Sequence, residues 1–192
     1  MTQLYRSKAK RPSIQRVLGF TIVELLIVIV VIGILAAVTI VAYNGVQIRA
    51  QNTKTTQAAA EWTKILSAYA AAYGQYPLSS GAPCLSEAGT TCARTTGSTN
   101  CFGMGTTSAN TSYIQDIKKV VTTLPEASTQ EIDCNGAKYK GILTGNSTGP
   151  NAVVYLFLRG DEECKVLGTA RSVTKNQQEG LTMCLLTMPT VS

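Results

Sequence analysis

Histidine is absent from the 192 residues, which removes every Ser/His or Cys/His nucleophile pair and every histidine metal site. None of the six cysteines, Cys84, Cys92, Cys101, Cys134, Cys164 and Cys184, stands in a Cys-x-x-Cys pair. The close spacing that zinc sites and thioredoxin-like motifs use is therefore missing. A glycine-rich phosphate loop followed by lysine is also missing, and no nucleophile with its base is evident. The chain reads as a non-enzyme with neither cofactor nor metal.

Acidic residues are missing from the first 19 positions, which hold Arg6, Lys8, Lys10, Arg11 and Arg16. The net charge of +6 lies almost wholly there, because residues 20 onward carry 12 basic and 11 acidic side chains. No dense basic stripe is left for phosphate contacts, which argues against strong direct nucleic-acid binding.

What the sequence does have is one long apolar run. Between Phe20 and Tyr43 the only charged residue is Glu24, and Leu25 to Val38 supply 14 positions with no polar side chain. About 20 apolar residues cross a hydrocarbon core of roughly 30 Å, so the run is long enough to span. Five cations before it set against Arg49 and Lys54 beyond it place the N-terminus in the cytoplasm. Six cysteines, all beyond the run, fit disulfides in an oxidising compartment and give the same orientation. A secretory signal peptide competes, but its apolar core is shorter and carries no carboxylate. A charge at mid-membrane costs about 2.5 to 3.5 kcal/mol, so Glu24 is either functional or near the interface, where it favours the helix dipole.

The run Gly19-Phe20-Thr21-Ile22-Val23-Glu24-Leu25-Leu26-Ile27-Val28, with Ile32-Gly33-Ile34-Leu35-Ala36-Ala37 and Ala42-Tyr43, closely resembles the N-terminus of type IV pilins and pseudopilins. The resemblance implies cleavage between Gly19 and Phe20 by a prepilin peptidase, N-methylation of Phe20, and removal of a cytoplasmic leader, residues 1–19. It implies that Glu24 pairs with the N-terminal amine of a neighbouring subunit, relieving two buried charges only in the correct register. It also implies partners: other copies and related pilins, an assembly platform, and a cytoplasmic ATPase. One departure is Val41, where many type IV pilins carry proline; Gly33, Thr39, Asn44 and Gly45 weaken the helix less.

Residues 20–45 read as the transmembrane and filament-core helix, and residues 46–192 as an extracellular head. Ala58, Trp62, Ile65, Leu66, Tyr69 and Tyr73 fall on one helical face, which extends the helix to Gly74 and Pro77 and to about 80 Å at 1.5 Å per residue. The aromatic stripe reads as core. Residues 78–112 read as a disulfide-stapled loop. Ile114, Ile117, Val121 and Leu124 mark a short helix ended by Pro125. Tyr139 to Leu143, Val153 to Leu158 and Leu181 to Leu186 read as strands, with a further short one around Cys164 to Leu167. The expected fold is α+β, pilin-like: a long helix on a small antiparallel sheet.

Six cysteines allow 15 connectivities. Cys164 with Cys184 would pin the C-terminal strands, for roughly 3 kcal/mol, and resembles the C-terminal disulfide loop of many pilins. Cys84 with Cys92 and Cys101 with Cys134 are favoured for the rest, other pairings remaining open. Asp161-Glu162-Glu163 reads as an exposed acidic turn in preference to a calcium site. Asn110-Thr111-Ser112 and Asn146-Ser147-Thr148 match the glycosylation sequon by composition, and Lys118 and Lys119 read as a solvated helix face.

The leading expectation is a type IV pilus subunit, first a single-pass cytoplasmic membrane protein and then part of a surface filament for adhesion, twitching motility or DNA uptake. The alternatives are a type II secretion pseudopilin and a membrane-anchored binding module that never assembles.

Overall fold

A computed structural model describes residues 19–79, 81–87, 90–94, 101–145 and 150–191, with the backbone alone at Val41. The leader cations, the Asn146-Ser147-Thr148 sequon and the last residue lie outside these. The chain divides into two compact units, Met1–Tyr43 and Asn44–Ser192. Helix α1 is Ile22–Tyr73. In the first unit it is apolar all round, and no described large apolar side chain there is buried.

The second unit begins with the amphipathic part of α1. Ala58, Trp62, Leu66 and Tyr69 are buried, as the helical spacing requires. Tyr73, placed on the same stripe by sequence, is 48% exposed and rests on the Tyr69 ring at 4.5 Å between centroids. The chain leaves the helix at the next residue: Gly74 is left-handed, φ +71°, and its N–H donates to the Ala70 carbonyl at 2.8 Å. Glycine takes that conformation without the Cβ penalty, so the helix ends there.

The second helix, α2 (Thr111–Ile117), is capped by Asn110, whose side chain accepts from the Tyr113 N–H at 3.2 Å. It stops short of the expected Leu124. The run Val120-Val121-Thr122-Thr123 is β-branched throughout, and such residues lose χ1 freedom in a helix.

Among the described residues, eight strands form two sheets where one was expected. They are β1 (Thr91–Arg94), β2 (Thr107–Ser108), β3 (Ile132–Cys134), β4 (Ala137–Tyr139), β5 (Ile142–Thr144), β6 (Val153–Arg159), β7 (Ser172–Gln178) and β8 (Leu181–Thr187). One sheet runs β5-β6-β8-β7 and the other β2-β1-β4-β3, with every pairing antiparallel. Two strands thus lie in the segment read as a loop. The expected strand from Tyr139 to Leu143 is split between the sheets, because Gly141, φ +67°, turns the chain from β4 into β5.

The first sheet is covered on both faces. Val154, Leu156, Leu158, Cys184 and Leu186 pack with Trp62 and Leu66 of α1. Phe157, Leu181 and Met183 point the other way, into a second core with Cys92, Ala93, Cys134 and Tyr139 of the other sheet. The period of two sends alternate residues of β6 and β8 to opposite cores. Continuous apolar runs in those strands are the consequence.

No strand forms around Cys164 to Leu167; β7 takes the sheet edge instead. Its turn to β8, Glu179-Gly180, has φ of 42° and 75°, and the β3–β4 turn, Asn135-Gly136, has 52° and 75°. Both are two-residue connections with positive φ, which match the strand twist. The β6–β7 connection instead packs on α1. A Cβ on Gly168, φ +56°, would overlap Thr63 Oγ1 and the Ala60 carbonyl, and Thr169 Oγ1 donates to the Thr63 carbonyl at 2.8 Å.

Three disulfides join Cys84 to Cys92, Cys101 to Cys134, and Cys164 to Cys184, with Cα separations of 5.7, 6.0 and 5.6 Å. The first two lie in the second core, and the third ties the β6–β7 connection to β8.

Candidate functional site: the N-terminal helix and its first turn

Gly19 and Phe20 precede α1 in non-helical conformation, and Phe20 is 79% exposed. Among the described residues, nothing lies within 4 Å of where a Cβ on Gly19 would stand. Packing among the described residues therefore does not demand glycine at that position.

Thr21 caps the helix. Its N–H donates to Glu24 Oε2 at 2.9 Å and its hydroxyl to the same oxygen at 2.6 Å, while Thr21 Oγ1 accepts from the Glu24 N–H at 3.3 Å. This is a capping box, in which two otherwise orphaned backbone donors are satisfied reciprocally. Glu24 thus has a local role as well as any in assembly. The Thr-x-x-Glu spacing carries that signal in the sequence. Both bonds from Thr21 use Oε2, and Glu24 Oε1 makes no hydrogen bond among the described residues.

Beyond the cap, Ile22, Leu25, Leu26, Ile29, Ile32, Leu35 and their apolar neighbours are each about half exposed or more. Fully burying one such side chain stabilises by about 1.5 to 3 kcal/mol. A continuous apolar surface around a helix is stable in lipid or against other apolar helices, not in water. The helix is long and apolar enough to cross a membrane.

The head carries the remaining candidates. Asp161 is ion-paired with Lys175, and the lysine holds its carboxyl below the usual range. Glu162 Oε1 accepts from the buried Asn52 amide at 2.8 Å. The acidic turn is thus engaged with the protein itself. Lys118 pairs with Glu87 of a neighbouring segment at 3.2 Å, while Lys119 pairs locally with Asp116, three residues before it, at 2.6 Å. Asn110 of the first sequon serves as the α2 cap. Glu131 faces Arg94, Lys138 and Lys140 at 3.7, 3.4 and 3.7 Å. The hydrogen bond from Lys138, with the charges of all three cations, lowers its pKa. Burial raises the pKa of the Tyr113 phenol.

Residues 14–40 match the family model of the prokaryotic N-terminal methylation motif, the hallmark of type IV pilins and prepilins. No curated protein and no solved structure matches the chain. The matched residues contain Gly19, Phe20, Thr21 and Glu24 and α1 from Ile22 to Ile40. In its N-terminal segment the chain is similar to type IV pilins and pseudopilins.

Proposed function

We propose that this chain is a structural subunit of a type IV pilus. It enters the cytoplasmic membrane with its N-terminus inside. A prepilin peptidase cuts between Gly19 and Phe20, the new amine of Phe20 is methylated, and the subunit joins a surface filament through its apolar helix. The observation that carries this reading is the methylation motif on a helix whose described large apolar side chains are exposed up to Val46.

The chemistry follows from what each group needs. Cleavage leaves a cationic amine four residues from Glu24, and both charges are costly in an apolar bundle unless they meet. A neighbouring copy at one register supplies the amine, and Glu24 Oε1 is the oxygen left for it. Burial of the apolar face drives association, and the charge pair sets its register. The chain itself catalyses nothing; a partner ATPase in the cytoplasm supplies the work. The three disulfides suit a head outside the cell, where thiols oxidise. They favour an exposed fibre over the pseudopilus of a type II secretion machine, although the motif heads both kinds of subunit.

Mass spectrometry of protein sheared from cell surfaces tests this. The expected chain begins at Phe20 and carries one added methyl on its amine. A chain that begins at Met1 and is found in membranes alone would overturn the reading in favour of an anchored binding module.

A further inference from the structure

The head contains a cleft of about 300 Å³, at the lower end of the size of small-molecule sites. It opens between the Cys84–Cys92 loop and the extended run 122–129, with Leu85, Leu124, Pro125 and Ile142 among its apolar walls. The lining includes a single cation, Lys140, whose side chain is 24% exposed. The two carboxylates that also line it, Glu87 and Glu126, are 61% and 80% exposed and lie 3.2 and 3.9 Å from Lys118 and Lys54. They sit at the rim with cations of their own.

Lys140 is not matched in that way. Its carboxylate, Glu131 at 3.7 Å, is shared with Arg94 and Lys138. Glu131 lies nearest Lys138, at 3.4 Å, and takes its hydrogen bond, which leaves Arg94 and Lys140 the less compensated pair. An under-compensated ammonium at an apolar cleft attracts an anion with an apolar body, since a charge-assisted bond is stronger where water is scarce.

We infer that this cleft binds an apolar group ending in a carboxylate, with Lys140 holding the carboxylate and Leu85, Leu124, Pro125 and Ile142 holding the apolar part. The carboxylate comes either from the C-terminus of a peptide with apolar last residues or from a small free acid. This does not rest on the filament reading. An anchored head that never assembled would keep the same cleft.

Trp62 is the sole tryptophan, and its Nε1–H donates to the carbonyl of Pro125, a wall residue, at 3.1 Å. Its fluorescence therefore reports occupancy. The full chain in detergent micelles is titrated with N-acetyl-Leu-Leu, with the C-terminal amide of the same dipeptide, and with 4-methylpentanoate. The expected result is a saturable change with at least one acid and none with the amide. Binding should weaken about tenfold or more in Lys140→Gln and stay close to the parent in Lys138→Gln, whose ammonium lies outside the cleft. Response to the dipeptide acid alone identifies a peptide C-terminus; response to 4-methylpentanoate identifies a free acid. No saturable response to either acid, equal binding of acid and amide, or equal loss in the two lysine variants overturns the inference.

Discussion

The two units of this chain solve the problem of apolar surface in opposite ways. In the head, Trp62, Leu66, Leu156, Phe157 and Leu186 are closed within two cores, and three disulfides tie the surrounding loops. In the N-terminal unit the described apolar side chains stay exposed. Among the described large hydrophobic residues that are exposed, only Tyr73, Leu78 and Val166 lie beyond Val46. One unit holds the partners for its own surface. The other needs lipid or further copies, so its stability is a property of an assembly. Changes in the first should be read in assembly and changes in the second in folding.

Glu24→Ala is expected to show the largest effect, the loss of surface filaments, with the head's melting temperature unchanged. The capping box complicates that variant, because it removes an N-cap partner worth about 1 kcal/mol as well as the carboxylate offered to a neighbour. Thr21→Val separates the two: it breaks the box and leaves the Glu24 charge. Filaments counted by electron microscopy should persist in Thr21→Val. Their disappearance from both variants to the same extent would mean that the cap, and not the charge pair, is what assembly uses.

Trp62→Ala is the converse case. The side chain is fully buried and its N–H is bonded to Pro125. Its loss should cost the head about 3 to 5 kcal/mol, a large share of the 5 to 15 kcal/mol typical of a domain. Denaturant unfolding of the full chain measures it, and insertion of the apolar helix into membranes should be unaffected. A cost below about 1 kcal/mol would show that the helix and sheet do not depend on each other in the way the shared core implies.

The same contrast explains which parts of the fold were readable in the sequence. The apolar helix announces itself from Phe20 to Tyr43, and the head helix through its 3.6-residue stripe, because burial against one neighbour imposes a period. Strands β6 and β8 were found for their apolar runs. That those runs are continuous, when a one-faced strand would alternate, was the sign of the second sheet. Asn135-Gly136 was the sign of its β3–β4 hairpin. Strand β7 gave little sign, since Ser172 to Gln178 are polar and exposed but for Val173; it is held mainly by a complete ladder to β8. Backbone hydrogen bonds leave no trace in side-chain pattern. At the candidate site Glu24 stood out as a lone charge, while Thr21 was one polar residue beside it, and only their three-residue spacing tells of the box.

The smallest expected effect belongs to the charges on the head, and it is a matter of sign. The Glu131 carboxyl is held below the ordinary carboxylate pKa by the Lys138 hydrogen bond and by the charges of Lys138, Lys140 and Arg94. A carboxyl whose folded value is depressed contributes stability above its unfolded value of about 4.3, and loses it as pH falls through the folded value. Glu131→Gln should therefore melt below the parent at about pH 7, and the two should converge as the medium is acidified through the lowered folded value, where the parent's carboxyl is protonated too. The gap at neutral pH should be small, because all four groups are partly exposed and the ion pairs are screened. It should also shrink with added salt. A gap that stayed constant from neutral to acid pH would show that Glu131 acts by shape or packing. The head would then owe nothing measurable to the charges of this cluster, and the contribution of Glu131 would belong with packing in the cores and not with electrostatics.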